Sequence, residues 1–509
     1  MSGRVMAGRA LEADLSLEAE IVVCGAGAGG CMAARELARA GRSVIVLEQG
    51  KDHRIQDFSQ REDEMIPALF DRLGGQRSED LAILILSGRG LGGSTIHNQN
   101  LCKRTPDAVL EAWADAHGVE GVEPSTMRPL FEEVERDLGV RPITDAQVNL
   151  HNRRIQRGVE ALGYAGARLQ HNRDERCIGS GFCELGCAYD GKLNARRVLV
   201  PQAVSAGAIF VTDARVDRIV HDGEEIQAIE GRLLDATGRP RGSLRVRTSR
   251  VCLAGSAIGS AALALRSELP DPHARLGRSL RIHPASIVAG RFEDRLLAWR
   301  GIPQSYECTE FLDFSAGSER RVWLIPSFAH PIGTASLIPG FGPELMEGMR
   351  EYPHLGALAA MVHDETEGRI YLDGDAVRIQ YEPIATDREQ LALGSREAAR
   401  ILLRAGATRC TIPASPPLEI RAEADLETIV AERFLPHDAK LTAVHPMGSM
   451  RMGGDPRRSV VDARGRHHQL RGLAVTDGSL FPTSIGGPPQ ISIYTFAMKV
   501  ARHLIDEWR

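Results

Sequence analysis

No stretch of the 509-residue chain holds the roughly 18 consecutive apolar residues that a membrane-spanning helix needs. The first 20 residues are polar and charged, with no apolar core of a secretory signal. Aromatic residues make up only 5% of the chain, and the arginines are scattered rather than gathered on one stripe, which argues against a nucleic-acid surface. Small basic groups such as Arg239 with Arg241, or Arg457 with Arg458, stand beside Gly and Pro and read as solvated loops. No internal repeat and no low-complexity linker interrupts the chain. Cysteines number nine, an odd count, and Cys24, Cys31 and Cys252 sit inside apolar patterns as buried thiols. These absences leave a chain expected in the reducing cytoplasm, with no structural metal site.

What is present is ordinary core material and one informative segment. Hydrophobic content is 43% and charged content 25%, with a net charge of −5, enough apolar sequence for a large two-domain protein. In residues 20–50 a β-branched run, Ile21 to Val23, feeds Gly25-x-Gly27-x-x-Gly30. A helical pattern follows, then a second apolar run, Val44 to Leu47, ending in Glu48. Gly25 permits the tight turn, Gly27 lets backbone N–H groups approach a pyrophosphate, and Gly30 lets the helix pack against its strand. The helix N-terminus then faces phosphate charge, and Glu48 can accept from a ribose hydroxyl, which favours FAD or NAD over NADP.

The rest of the chain divides by pattern. Residues 16–106 read as the first part of a dinucleotide domain, and 107–194 as a helical and Cys/Gly-rich segment. Residues 195–284 read as its second part, with strands over 207–220 and 226–234 and a strand–turn–helix over 245–267. Residues 285–440 read as a substrate domain, with antiparallel alternation over 286–330 and 366–382 and an amphipathic helix over 386–405. Residues 441–509 return to the cofactor domain and end in a helix. The fold class expected is α/β, a discontinuous Rossmann-like domain roofed by a domain carrying an antiparallel sheet.

Four further blocks agree in order and spacing. They are Gly88-Arg89-Gly90-Leu91-Gly92-Gly93-Ser94-Thr95-Ile96-His97-Asn98, the run Val251 to Ser260, the run Leu276 to Pro284, and a C-terminal set. That last set comprises His445-Pro446-Met447-Gly448, Val460-Val461-Asp462, Leu473 to Ser479, and Pro489-Gln490. Over residues 18–505 they resemble the glucose–methanol–choline (GMC) family of FAD-dependent oxidoreductases, most of all its bacterial long-chain alcohol oxidase and cholesterol oxidase-like members. The resemblance implies FAD, lying extended under the substrate domain. It implies that Gly25, Gly27, Ala28, Gly30, Glu48 and Gln49 hold the ADP half, with Val216 as a backbone contact to adenine. Arg89, Gly92, Gly93, His97, Asn98, Asp477, Gly478, Pro489 and Gln490 would hold the remainder.

The chemistry implied is oxidation of a CH–OH group on a hydrophobic or ring alcohol, with hydride passing to the flavin N5. Oxygen or a quinone or protein carrier would be the electron acceptor. His445 is the residue expected as the base or hydrogen-bond partner of the alcohol. The family's second active-site side chain, His or Asn, is replaced by Pro488, with Gln490 and Ser484 close enough in sequence to compensate. That departure keeps open non-alcohol chemistry on the same scaffold, a lyase or photodecarboxylase, and a non-catalytic flavoprotein. His97 stands where choline oxidase-like members attach the flavin covalently, or else packs beside the ring. Cys177, Cys183 and Cys187, with Ser180 among them, have the spacing of an iron–sulfur run lacking one thiolate, and read as tight turns lining the flavin domain. His283 is expected to be structural, and His467 and His468 to lie on the surface.

Overall fold

The computed structural model describes residues 3–11, 14–315 and 317–508. β-Branched runs with no polar alternation can only be buried on both faces, and that decides the centre of the molecule. Ile21–Cys24 and Val44–Leu47 pair in parallel, Val23 opposite Val46. Val251–Leu253 joins on the other side of Ile21–Cys24, followed by Leu473–Val475. Ile209–Thr212 and Arg4–Ala7 extend the opposite edge. The outcome among the described residues is a six-stranded parallel sheet drawn from three separated regions of the chain, 4–47, 209–253 and 473–475. Helix Ala28–Arg39 packs on it between Ala195–Ser205 and the C-terminal helix Gln490–Glu507.

A four-stranded sheet flanks this core. It contains the meander Ala214–His221, Ile226–Leu234 and Pro240–Arg247, closed by Leu15–Glu18. A larger sheet stands over the cofactor side, in the order Leu418–Ile420, Arg409–Ile412, Ala285–Arg291, Leu355–Val362, Val322–Ser327, Tyr306–Cys308, Gly166–Arg168. Helix Ala385–Arg404 covers its outer face.

The roof departs from the sequence reading in three places. Its central strand, Leu355–Val362, reads as LGALAAMV and carries too many small residues to signal a strand. The alternating segment 366–382 does form strands, Gly368–Asp373 and Ala376–Gln380, but they pair with Arg278–Leu280 in a separate three-stranded sheet. Ile83–Ile85 and Leu441–Ala443, both within segments read as cofactor domain, pair in parallel with each other, and Leu441–Ala443 also pairs with Ala285–Arg291 of the large sheet.

Candidate active site

The parallel strands end at one edge, and three helices begin there. At the first, Gly25 turns with φ of 109°, a conformation only glycine adopts without strain. Helix Ala28–Arg39 then starts from Gly27 with no side-chain cap and no acidic residue in its first turn. Helix Ser256–Arg266 starts from Gly255 and helix Gln490–Glu507 from Pro489, again uncapped by side chains. First-turn N–H groups have no carbonyl partner inside a helix, so each of these ends offers donors and positive potential to a ligand. All three ends line one cavity of about 460 Å³.

The same cavity is lined by Gly25, Gly27, Ala28, Glu48, Gln49, Gly93, His97, Asn98, Val216, Asp477, Gly478, Pro489 and Gln490. Gly30, Arg89 and Gly92 stay behind its wall. Gly30 packs so close to the strand turn that a Cβ would meet the Gly25 carbonyl oxygen at 2.0 Å. Arg89 donates to the Gln49 carbonyl at 3.4 Å, and Gly92 turns with φ of 106°. Glu48 is buried and accepts from the backbone N–H groups of Ala26, Gly50 and Gly90, which leaves a carboxylate lone pair for one further donor such as a ribose hydroxyl. Burial raises its pKa, as it does that of Asp477, which is held by Ser260 and Ser479. Uncapped helix ends and a glycine turn supply the donors, and one aimed carboxylate the acceptor, that a dinucleotide requires, so these residues fit FAD.

Over this floor the large sheet presents an apolar face. Leu101, Ala285, Ile287, Trp323, Ile325, Ala359 and Met361 line the cavity and pack as one cluster. His445 enters from the loop after Leu441–Ala443 and lines the cavity too. Its Nδ1 lies 3.2 Å from Nδ1 of His283, with the two rings perpendicular. Burial pulls both imidazoles well below the ordinary histidine value, and each lowers further beside a neighbouring histidine. Burial thus favours the neutral ring in both.

Pro488 lines the cavity, and neither proposed substitute is free. Gln490 donates to the Leu101 carbonyl at 2.6 Å and accepts from Asn98 at 2.9 Å. Ser484 is buried off the cavity and donates to the Asp364 carbonyl at 2.9 Å. His97 is buried with its ring centroid 3.9 Å from that of Phe70, and burial next to Lys192 pulls it down to about 3. Two histidines lie elsewhere than their sequence context implies. His467 is buried, not on the surface, because its Nδ1 accepts from the N–H groups of Gln469 and Leu470 and so folds the ring into its own turn. His468 is half-buried against the Ser459 hydroxyl.

Some residues of the site carry no motif. Lys192 is buried and donates to the carbonyls of Ile96, Asn98 and Cys183, pinning the His97 loop to the cysteine-rich segment. Glu184, in that segment, lines the cavity, and burial together with Glu62 pushes its carboxyl up to about 7. Cys177, Cys183 and Cys187 are free thiols, and among the described residues no group of three or more His, Cys, Asp or Glu is placed to hold a metal ion. No helix among the described residues is long and apolar enough to cross a membrane.

A parallel-sheet dinucleotide floor under an apolar antiparallel roof, with a histidine pair between them, defines a flavoprotein oxidoreductase. Family models for GMC oxidoreductases match residues 19–285 and 364–497, and the chain belongs to that family. It is an FAD-dependent enzyme acting on CH–OH donors. Over 488 residues it is 32% identical to an uncharacterised GMC-type oxidoreductase of Mycobacterium tuberculosis, covering 95% of this chain and 75% of that one. It is 28% identical over 521 residues to the long-chain-alcohol oxidase FAO4B of Arabidopsis thaliana, covering 96% of this chain and 68% of that one. Among solved structures, pyridoxine 4-oxidase from Mesorbium loti shares the fold, with a TM-score of 0.72, 19% identity, and coverage of 95% of this chain and 99% of that one.

Proposed function

We propose that the chain oxidises the carbinol of a predominantly apolar or ring alcohol. One observation carries this reading: His445 and the apolar face of the large sheet line the same cavity as the dinucleotide-binding turns. The alkyl part of the alcohol packs on Leu101, Ile287, Trp323, Ile325 and Met361, where each buried methylene contributes about 0.8 kcal/mol. The carbinol oxygen lies at His445, whose neutral imidazole forms a hydrogen bond with it. Water is kept from the reacting carbon by the same apolar side chains. When bound, FAD would supply the two-electron oxidant: the carbinol would give up the hydrogen on carbon as a hydride and the hydrogen on oxygen as a proton, and become a carbonyl. Similarity to a long-chain-alcohol oxidase supports an apolar substrate and oxygen as the acceptor, with a quinone or protein carrier as the other class of acceptor.

The test is anaerobic bleaching of the visible flavin band, at about 450 nm, by a panel of linear and ring alcohols. Apolar alcohols are expected to bleach it. A flavin that dithionite reduces but no alcohol does would overturn the reading.

A further inference from the structure

His283 and His445 form a hydrogen-bonded pair that only one arrangement of protons satisfies. Nε2 of His283 lies 3.0 Å from the Gly486 backbone nitrogen and 3.3 Å from that of Ile485. Backbone N–H groups only donate, so this Nε2 is an acceptor and carries no hydrogen. A neutral imidazole has one N–H, so in His283 it is on Nδ1. That N–H points to Nδ1 of His445 at 3.2 Å, which must therefore accept. The single hydrogen of neutral His445 is then on Nε2. The reverse order would leave His283 with no hydrogen at all, as an imidazolate. These protons are assigned by valence from the hydrogen-bond network.

The backbone is built to hold this pair. His283 is fully buried and has φ of 51°, in the left-handed region that a non-glycine residue seldom occupies. The Asp364 carboxylate secures that conformation by accepting from the N–H groups of Ile282 and His283, and it accepts from the Tyr381 hydroxyl at 2.6 Å as well. His363, the other ring facing His283, is tied through Nε2 to the Ser484 carbonyl, so it offers no competing acceptor on that nitrogen. Unusual backbone conformations held by dedicated partners concentrate at functional sites.

We infer that His283 is a positioning residue that fixes His445 with its hydrogen on Nε2, so that His445 donates a hydrogen bond to the carbinol oxygen and does not act as its base. The inference rests on the alcohol reading for the identity of that oxygen, but the tautomer stands apart from it. A base at His445 needs a lone pair on Nε2, and His283 removes it. The hydroxyl proton then passes to water at the carbinol oxygen, and the His445 N–H stabilises the oxyanion that its loss develops.

An isosteric pair of variants separates the two roles. His283→Asn retains a donor toward His445 Nδ1. His283→Asp places an acceptor there and turns His445 over to the Nδ1–H form, with a free lone pair on Nε2. The measurement is nitrogen-15 NMR of the imidazoles in the labelled holoenzyme, with the His445 signals identified by their loss in His445→Asn, together with anaerobic flavin reduction. The parent protein and His283→Asn are expected to show a protonated Nε2 and an unprotonated Nδ1 at His445. His283→Asp is expected to reverse that pattern and to slow flavin reduction by roughly 10²–10³, the usual worth of one donor to a developing oxyanion. A protonated Nδ1 at His445 in the parent protein overturns the inference even if neither variant folds. So does a His283→Asp enzyme that is reduced as fast as the parent. If no alcohol reduces the parent flavin, the alcohol reading fails while the tautomer is still read directly.

Discussion

Pro488 stands where a second polar side chain is expected, and the two residues nearest in sequence are already engaged, Gln490 with Asn98 and Leu101, Ser484 with Asp364. On the proposed reading, the side chain left to meet the carbinol oxygen is then His445. Pro488→Asn adds an amide at the cavity wall and is expected to speed flavin reduction by small and bulky alcohols alike; a loss confined to bulky alcohols would mean that the proline shapes the pocket instead. His97 gives a second prediction at this scale. Its Nε2 is buried without a partner, facing Gly88, where a Cβ would come within 2.6 Å of it. The ring centroid lies 3.9 Å from that of Phe70, and we propose that the ring packs there and does not bond to the flavin. Acid precipitation is expected to leave the flavin in the supernatant, and a yellow pellet that turns white in His97→Ala would reverse this assignment.

Among the elements, the start of helix Ala28–Arg39 is held most tightly. A Cβ at Gly29 would meet the Thr476 carbonyl oxygen at 1.8 Å, so the helix lies directly on the end of strand Leu473–Val475. Gly29 is not one of the three fingerprint glycines, yet it fixes the distance between the phosphate-binding helix end and Asp477. Gly29→Ala has to push the helix away from the sheet, with overpacking that costs about 1–3 kcal/mol. The expected result is a lower melting temperature and a reduced FAD-to-protein ratio, read from the absorbance of the purified enzyme. A variant that keeps full flavin content would show that this contact is not what places the helix. Lys192 acts at the same scale, joining two loops that are far apart in sequence through three carbonyls.

At the scale of the whole molecule, buried neutral histidines govern the response to acid. Burial lowers His53, His151, His330 and His467 to about 4 and His97 and His171 to about 3, and takes His283 and His445 well below 6.5. In the unfolded chain each protonates near 6.5, so below that pH the unfolded state binds more protons and stability is lost as the pH drops. Each histidine contributes about 1.4 kcal/mol per pH unit until its folded value is reached. Stability is expected to be flat on this account above pH about 6.5 and to fall steeply from there to about 4. Urea melts at pH 7 and pH 5 check it; equal midpoints at the two values would contradict the burial of these rings as neutral groups.

The cofactor floor is legible along the chain. The Gly25–Gly30 fingerprint, the β-branched runs and Glu48 are local signals, because turn geometry and strand burial depend on adjacent residues. His445 is marked by its motif for the same reason. Which groups meet is settled by folding alone. The LGALAAMV strand at the centre of the roof has no local signature, since its register comes from Ala285–Arg291 and Val322–Ser327 on either side. His283 reads as structural from its own block, and its part in the site appears only when folding brings it to His445, 162 residues away. Proton placement on that pair depends on the backbone of Ile485 and Gly486, from a third part of the chain. Hydrogen bonds are short-ranged and directional, so which lone pair is free is a property of three-dimensional neighbours that no spacing along the chain encodes.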